Sequence, residues 1–194
     1  MDDRPGTKTS EELVATLHRA GVESLLDVRR FPGSHRNPQF NQAALAEDLE
    51  RAGIAYLLLP DLGGRRSGVP GEDRFVCLRV SSFRSYAAWM SSSELQQAIV
   101  QALELASPCF MCAETLPWRC HRRLIGDFLT ARKIDVVHLL ALHSTIEHRR
   151  SPTRRSVAGG STCAGRPSRK RQRRQPPHVP GHYVVLSGRS PGCA

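Results

Sequence analysis

At 194 residues the chain is long enough for one domain with a full core, and its formal net charge is +10. The charge is unevenly spread: residues 1–147 hold 17 Lys and Arg against 18 Asp and Glu, while residues 148–194 hold 11 basic groups and no acid. This excludes a folded part that binds polyanions through overall charge, since any basic patch on it must come from local clustering. In chain order, SEELVATLHRAG reads as a first helix, with Ser10 as N-cap, Leu13, Val14 and Leu17 as its apolar face and Gly21 as its stop. Ser24 to Val28 is a short apolar strand. A second helix runs from its cap Asn41 to Gly53, and Ile54 to Leu59 is the next strand, ended by Pro60. Residues 65–82 are Gly-, Arg- and Ser-rich and read as a loop or insertion, with helices over Phe83–Met90 and Glu94–Ala106. Cys109 to Ala113 is a third strand. Pro117 suits the first position of a helix to Lys133, whose stripe is His121, Leu124, Ile125, Phe128 and Leu129. Asp135 to Leu140 is a fourth strand.

Strands alternating with helices imply right-handed βαβ units, hence an α/β fold of three layers around a mostly parallel sheet over residues 1–147. From His148 the chain is Arg-, Ser-, Pro- and Gly-rich, contains RKRQRR (Arg169 to Arg174), and lacks the apolar surface that offsets ordering entropy. Residues 148–194 therefore read as a disordered basic tail, in which His182 to Gly188 is at most a stray strand. The polar amino terminus is no secretory signal, and no apolar run approaches the roughly 18 residues of a membrane span. The six cysteines show no framework spacing, Cys109, Cys112 and Cys120 lie in or beside a predicted core strand as free buried thiols do, and a reducing cytoplasm is expected.

Four loops, each at the end of a predicted element, carry the chemistry. In an open α/β sheet, ligands bind outside the carboxyl ends of the strands, so arginines gathered there form an anion pocket. The first loop supplies Arg29, Arg30 and Arg36, whose guanidinium groups suit phosphate or carboxylate, with Asp27 as an internal partner for them. The second, LGGRR, supplies Gly63 and Gly64 for close backbone approach and Arg65 for the anion. The third, SFRSYAAWM, either packs or delivers Arg84 and aromatic surface to a ligand. The fourth, CAETLPWRCHRR, places Glu114 at a strand tip as a general base, with Arg119, Cys120, His121 and Arg122 in the first turns of a helix. A helix start favours an anion and lowers the pKa of Cys120. His121 is equally readable as a core histidine or a catalytic one. No metal is expected, because Cys109 and Cys112 on a strand point to opposite faces and adjacent Cys-His pairs rarely share an ion.

Taken together, DVRRFPGSHRNPQFN, LGGRR, SFRSYAAWM and CAETLPWRCHRRLIGDFL resemble the family called domain of unknown function 488, from about Gly6 to His143. The resemblance implies a single α/β domain of Rossmann-like layering and no particular activity. Members usually begin with a strand that ends in a Thr-Ile-Gly-like turn. Here that place is held by the polar MDDRPGTK, which leaves the strand count of the sheet open. The expected function is binding, with possible hydrolysis, of a phosphate-bearing small molecule or nucleic acid at the arginine pocket, without a cofactor. Glu114, His121 and Cys120 would be the catalytic groups. Two alternatives stand beside it: a non-catalytic nucleic-acid-interaction protein using the basic tail, and a thiol-dependent enzyme using Cys120.

Overall fold

The structure is a computed structural model that describes residues 9–33, 35, 37–114, 116–149 and the strand 182–187. Alternation along the first strand sets the architecture. Within β1 (Ser24–Asp27), Leu25 points to one face and Leu26 to the other, as a period of two requires. Leu25 meets Leu13 and Leu17 of α1 (Ser10–Arg19) and Leu45 and Leu49 of α2 (Gln42–Arg51). Leu26 meets the opposite layer. That layer is built from Tyr86 of α3 (Ser81–Trp89), Ile99 of α4 (Ser93–Ala102) and Leu124, Ile125 and Phe128 of α5 (Arg122–Ala131). Helices thus cover both faces of the sheet, and the fold is α/β.

The other strands are β2 (Ala55–Leu58), β3 (Pro108–Cys112), β4 (Asp135–Ala141), β5 (Ser144–Glu147) and β6 (His182–Ser187). Their order is β2-β1-β3-β6-β4-β5, parallel throughout except for the β4–β5 hairpin. The chain runs outward from β1 to β2, then returns past β1 to reach β3. The carboxyl ends of β1 and β3 therefore flank the point where strand order reverses, the usual ligand crevice of such sheets. Val28 N–H bonds the Met111 carbonyl at 2.9 Å and fixes the two ends side by side.

Several details differ from the sequence expectations. The cap of α1 is Thr9, not Ser10: the Thr9 hydroxyl accepts from Glu12 N–H at 3.2 Å while the Glu12 carboxylate accepts from Thr9 N–H at 3.0 Å. Asn41 does stand at the N-cap of α2, without a side-chain capping bond. The helix expected from Pro117 breaks. Pro117–Arg119 is a single 3-10 turn, Cys120 is extended (φ −111°, ψ 146°), and α5 begins only at Arg122. The cause is Arg122, whose buried guanidinium holds the segment back against the end of β3.

The edge strand β5 was not anticipated, since all four of its residues are exposed and carry no alternating signal. His182–Ser187 is no stray strand: it pairs in parallel with β3 on one side and β4 on the other. The sheet is therefore not closed by residues 1–147. The basic run Arg169–Arg174 lies outside the described residues. Among the described residues no helix is long and apolar enough to cross a membrane.

Candidate active site at the sheet rim

The end of β1 is occupied by an internal ion pair. Asp27 is completely buried, and Arg29 reaches it through Nε at 2.9 Å to Oδ1 and Nη2 at 2.5 Å to Oδ2. Tyr56 O–H donates to the same Oδ2 at 2.8 Å, and Arg29 Nη1 donates to the Phe40 carbonyl at 2.8 Å. Burial, followed by the Asp27 charge, raises the Tyr56 pKa well above its ordinary value. A buried carboxylate needs such partners. Arg29 is thereby a structural residue and not the ligand arginine expected. Arg84 is also corrected: its Nη1 donates to the Leu78 and Arg79 carbonyls at 3.2 and 3.4 Å, tying down the loop before α3. Arg36 lies outside the described residues.

The LGGRR loop does come to the rim. Arg30 Nη1 donates to the Arg65 carbonyl at 2.8 Å. Arg66 donates to the Asp61 carbonyl at 2.6 Å, and its guanidinium stacks 4.2 Å from the Trp89 ring centroid. Burial, then the neighbouring Arg30 charge, lowers the Arg66 pKa. Both glycines are at close approaches. A Cβ on Gly63 would lie 2.8 Å from the Pro60 carbonyl oxygen and 3.0 Å from Arg30 Cβ. One on Gly64 would lie 2.4 Å from the His121 ring. The loop thus packs directly on the fourth motif. Replacing Gly64 with Ala should cost about 1–3 kcal/mol through overpacking. Gly33→Ala, where a Cβ meets nothing within 4 Å, should leave the denaturation midpoint unchanged. Equal midpoints for the two variants would mean that the loop does not sit on His121.

At the end of β3, Cys112, Cys120 and His121 converge. His121 Nδ1 is 3.7 Å from Cys120 Sγ and 3.9 Å from Cys112 Sγ. The His121 ring meets Tyr86 edge-on at 4.9 Å, and Tyr86 O–H donates to the Leu62 carbonyl at 2.9 Å. Arg122 was expected to hold a ligand, but it is 0 % exposed. Its Nε donates to Cys120 Sγ at 3.2 Å, Nη1 to the Phe110 carbonyl at 3.4 Å and Nη2 to the Glu114 carbonyl. The Glu114 carboxylate accepts from Leu116 N–H at 3.3 Å, a turn-forming contact, and Arg119 is exposed on the turn beyond it.

The electrostatics separate the two thiols. Burial by itself raises the Cys120 pKa. Hydrogen bonding from Cys112 and the charges of Arg122 and His121 outweigh it and hold that thiol well below its ordinary value. Cys112 goes the other way, pushed well up by its hydrogen bond to Cys120 and then by burial. The two thiols are thus pushed in opposite directions, Cys120 toward the ionised form and Cys112 toward the protonated one. The depressed pKa expected from a helix start is present, but its source is Arg122 and Cys112, since Cys120 precedes α5 in extended conformation.

Cys112 is the member of this cluster that was not among the expected site residues. Its signal was its place at the carboxyl end of a strand, on the face that also carries Glu114. The three donor atoms lie within 4.8 Å of one another, a set that a soft metal accepts, and one that includes an adjacent Cys-His pair of the kind expected to share an ion only rarely. Against a metal stands the Arg122 cation bonded to the Cys120 sulfur. Cys109 and Cys112 do lie apart, Cys109 in the layer of α1 and α2 and Cys112 in that of α3 to α5. Cys109, Cys112 and Cys120 are free thiols as expected, while Cys77 is disulfide-bonded.

No curated protein and no solved structure matches the chain. One family model does, over residues 9–129, a span that contains β1, the LGGRR loop, α3, β3 and most of α5. Every side chain of the thiol cluster falls inside that span, and the chain belongs to the family described as Domain of unknown function DUF488.

Proposed function

We propose that this chain is a thiol-dependent enzyme acting on a phosphate-bearing substrate, with Cys120 as nucleophile. One observation carries the reading. Among the described residues, the fully buried Arg122 guanidinium donates to one sulfur and two carbonyls and to no carboxylate. A buried cation requires a counter-charge, and the Cys120 thiolate is the group that supplies it. On this reading the domain works as Rossmann-like layers do, offering its ligand the crevice beyond β1 and β3. Arg30 and Arg65, exposed beside Gly63 and Gly64, hold the anionic group. The thiolate forms a bond to the electrophilic phosphorus or carbon of the substrate. The leaving group departs with its bonding pair and takes a proton from His121. Water then cleaves the adduct, losing its proton to Glu114.

The convergence of Cys112, Cys120 and His121 favours a second reading, a soft metal held by these three groups. A single titration separates the two. Thiolate ultraviolet absorbance of the full chain, minus that of Cys120→Ser, should already be present at about pH 6.5, below the ordinary thiol range. Intact-mass spectra after incubation with phosphate-bearing compounds should show an adduct that Cys120→Ser lacks. Stoichiometric metal in the purified protein, or no thiolate signal below about pH 8, overturns the nucleophile reading.

A further inference from the structure

Beyond the thiol cluster, α5 and the β4–β5 hairpin hold a second group of titratable side chains. His148 Nε2 lies 3.1 Å from Asp127 Oδ1, and His148 Nδ1 lies 2.8 Å from His138 Nε2, so a carboxylate and two imidazoles form one chain. All three are buried: Asp127 is 0 % and His138 3 % exposed, and the His148 side chain is 3 % exposed. Burial, helped by His148 and Arg122, lowers the His138 pKa to about 4, which keeps that ring neutral.

Space for this chain of groups is built into the helix. A Cβ on Gly126 would lie 2.8 Å from the His148 ring, so the residue that admits the imidazole is a glycine in the interior of α5. Glycine there costs a helix roughly 0.5–1 kcal/mol relative to alanine, a cost with no return unless the ring must fit. Backbone geometry fixes the same place, since His148 N–H bonds the Val136 carbonyl at 2.8 Å. Two polar atoms are left over: His138 Nδ1 and Asp127 Oδ2 have no hydrogen-bond partner among the described residues.

Against this wall lies a cavity of about 590 Å³, lined among others by His138, His148, Trp118, Ile146, Arg123 and Arg149. That volume is within the range of roughly 300–1,000 Å³ usual for small-molecule sites. Its composition is specific. Trp118 is 51 % exposed and Ile146 43 %, an apolar lip left uncovered by the described residues. Two guanidinium groups face one carboxylate, Glu147, giving the lining an excess of positive charge. Arginine recognises phosphate and carboxylate in bidentate fashion, and indole offers a stacking platform to an aromatic ring.

We infer that this cavity is a second ligand site, for a ring-bearing anion of mononucleotide size held by Arg123 and Arg149 and stacked on Trp118. His138 and His148 form its inner wall, held from behind by Asp127, so little ordering is needed when the ligand enters. His138 and His148 give that wall two ring edges, so the part of the lining opposite the guanidinium groups is aromatic and suits a ring. Although the two sites share the segment from Pro117 to Arg123, they are distinct. Cys120 and Arg122 turn inward to β3, whereas Trp118 and Arg123 line the cavity.

Isothermal titration of the full chain with adenosine 5′-monophosphate, adenosine and inorganic phosphate tests this. The monophosphate should bind saturably at one site, with adenosine and phosphate each weaker by roughly tenfold or more, the scale of one lost bidentate or stacking contact. Trp118→Ala and Arg123→Gln, neither in a buried side chain, should each weaken the monophosphate by a similar factor without shifting thermal unfolding. Absence of saturable binding, or binding untouched by both cavity variants, overturns the proposal.

Discussion

A chain cut after Arg149 is expected to lose cooperative unfolding, because the cut removes a strand from the middle of the sheet. β6 is bonded on both sides, with Cys109–Cys112 against Val184–Ser187 and Asp135–Leu139 against His182–Leu186. Its loss strips a full ladder from each of β3 and β4. Cys109–Met111 of β3 are buried in the intact sheet, and the backbone groups they turn toward β6 lose their partners. Each buried group left unpaired costs about 1–3 kcal/mol, and a few of them exceed the roughly 5–15 kcal/mol that holds a domain together. The β4–β5 hairpin would also be left without its connection to β3. Thermal and urea unfolding followed by circular dichroism, with amide exchange on β3, measure the effect. Val184→Pro is the milder variant: it deletes one backbone N–H from a central strand and should lower stability by about 3 kcal/mol or more. A truncated chain that unfolds cooperatively near the midpoint of the full chain would show that the sheet does not depend on this strand.

That strand also marks where the sequence stopped being legible. Hydrophobic periodicity identified β1, β2, β3 and β4 within a residue or so, because each is a short apolar run set off by loop and helix-end residues. His182–Ser187 is the same kind of run, yet it follows a stretch whose composition argues against a packed core. Its partners are Cys109 and Asp135, far away in the chain, and no local pattern reports such pairing. The arginine loops show the same division. Their gathering at the carboxyl rim followed from strand order, and Arg30, Gly63, Gly64 and His121 do meet there. Which arginines serve a ligand was not readable, since that depends on what else competes for each guanidinium. Arg29 is taken by Asp27 and Arg84 by two carbonyls, and Arg122 faces inward. The convergence of Cys112 with Cys120 was hidden by the break in the helix at Cys120, which a proline at a suitable first position argued against. Asp127, His138 and His148 were overlooked because single polar residues in apolar elements look like tolerated exceptions until their neighbours are known.

Arg122→Met is expected to move the ionisation of Cys120 and to weaken the fold, and the two effects have different origins. The first is electrostatic. Removing the cation destabilises the thiolate, so the Cys120 pKa rises and the thiolate-to-thiol ratio at a given pH falls roughly tenfold for each 1.4 kcal/mol of lost interaction. The sign is fixed: the profile moves to the alkaline side, and raising the pH restores the signal. The second effect is hydrogen bonding. The Phe110 and Glu114 carbonyls lose their Arg122 donors at the end of β3. At about 1–3 kcal/mol each, these two losses lower stability by roughly 2–6 kcal/mol. The thiolate adds little to that figure, since it can take up a proton instead of remaining an unpaired buried charge. Arg122→Lys separates the terms: it keeps a cation near the sulfur but lacks the planar fork that reaches two carbonyls and Sγ together. The lysine variant should therefore hold the Cys120 profile closer to the parent while sharing much of the stability loss, and it carries the test if the methionine variant does not fold. An unshifted thiolate profile in both variants would mean that Arg122 is a structural clamp alone, and that the charge on Cys120 is set by Cys112 and His121.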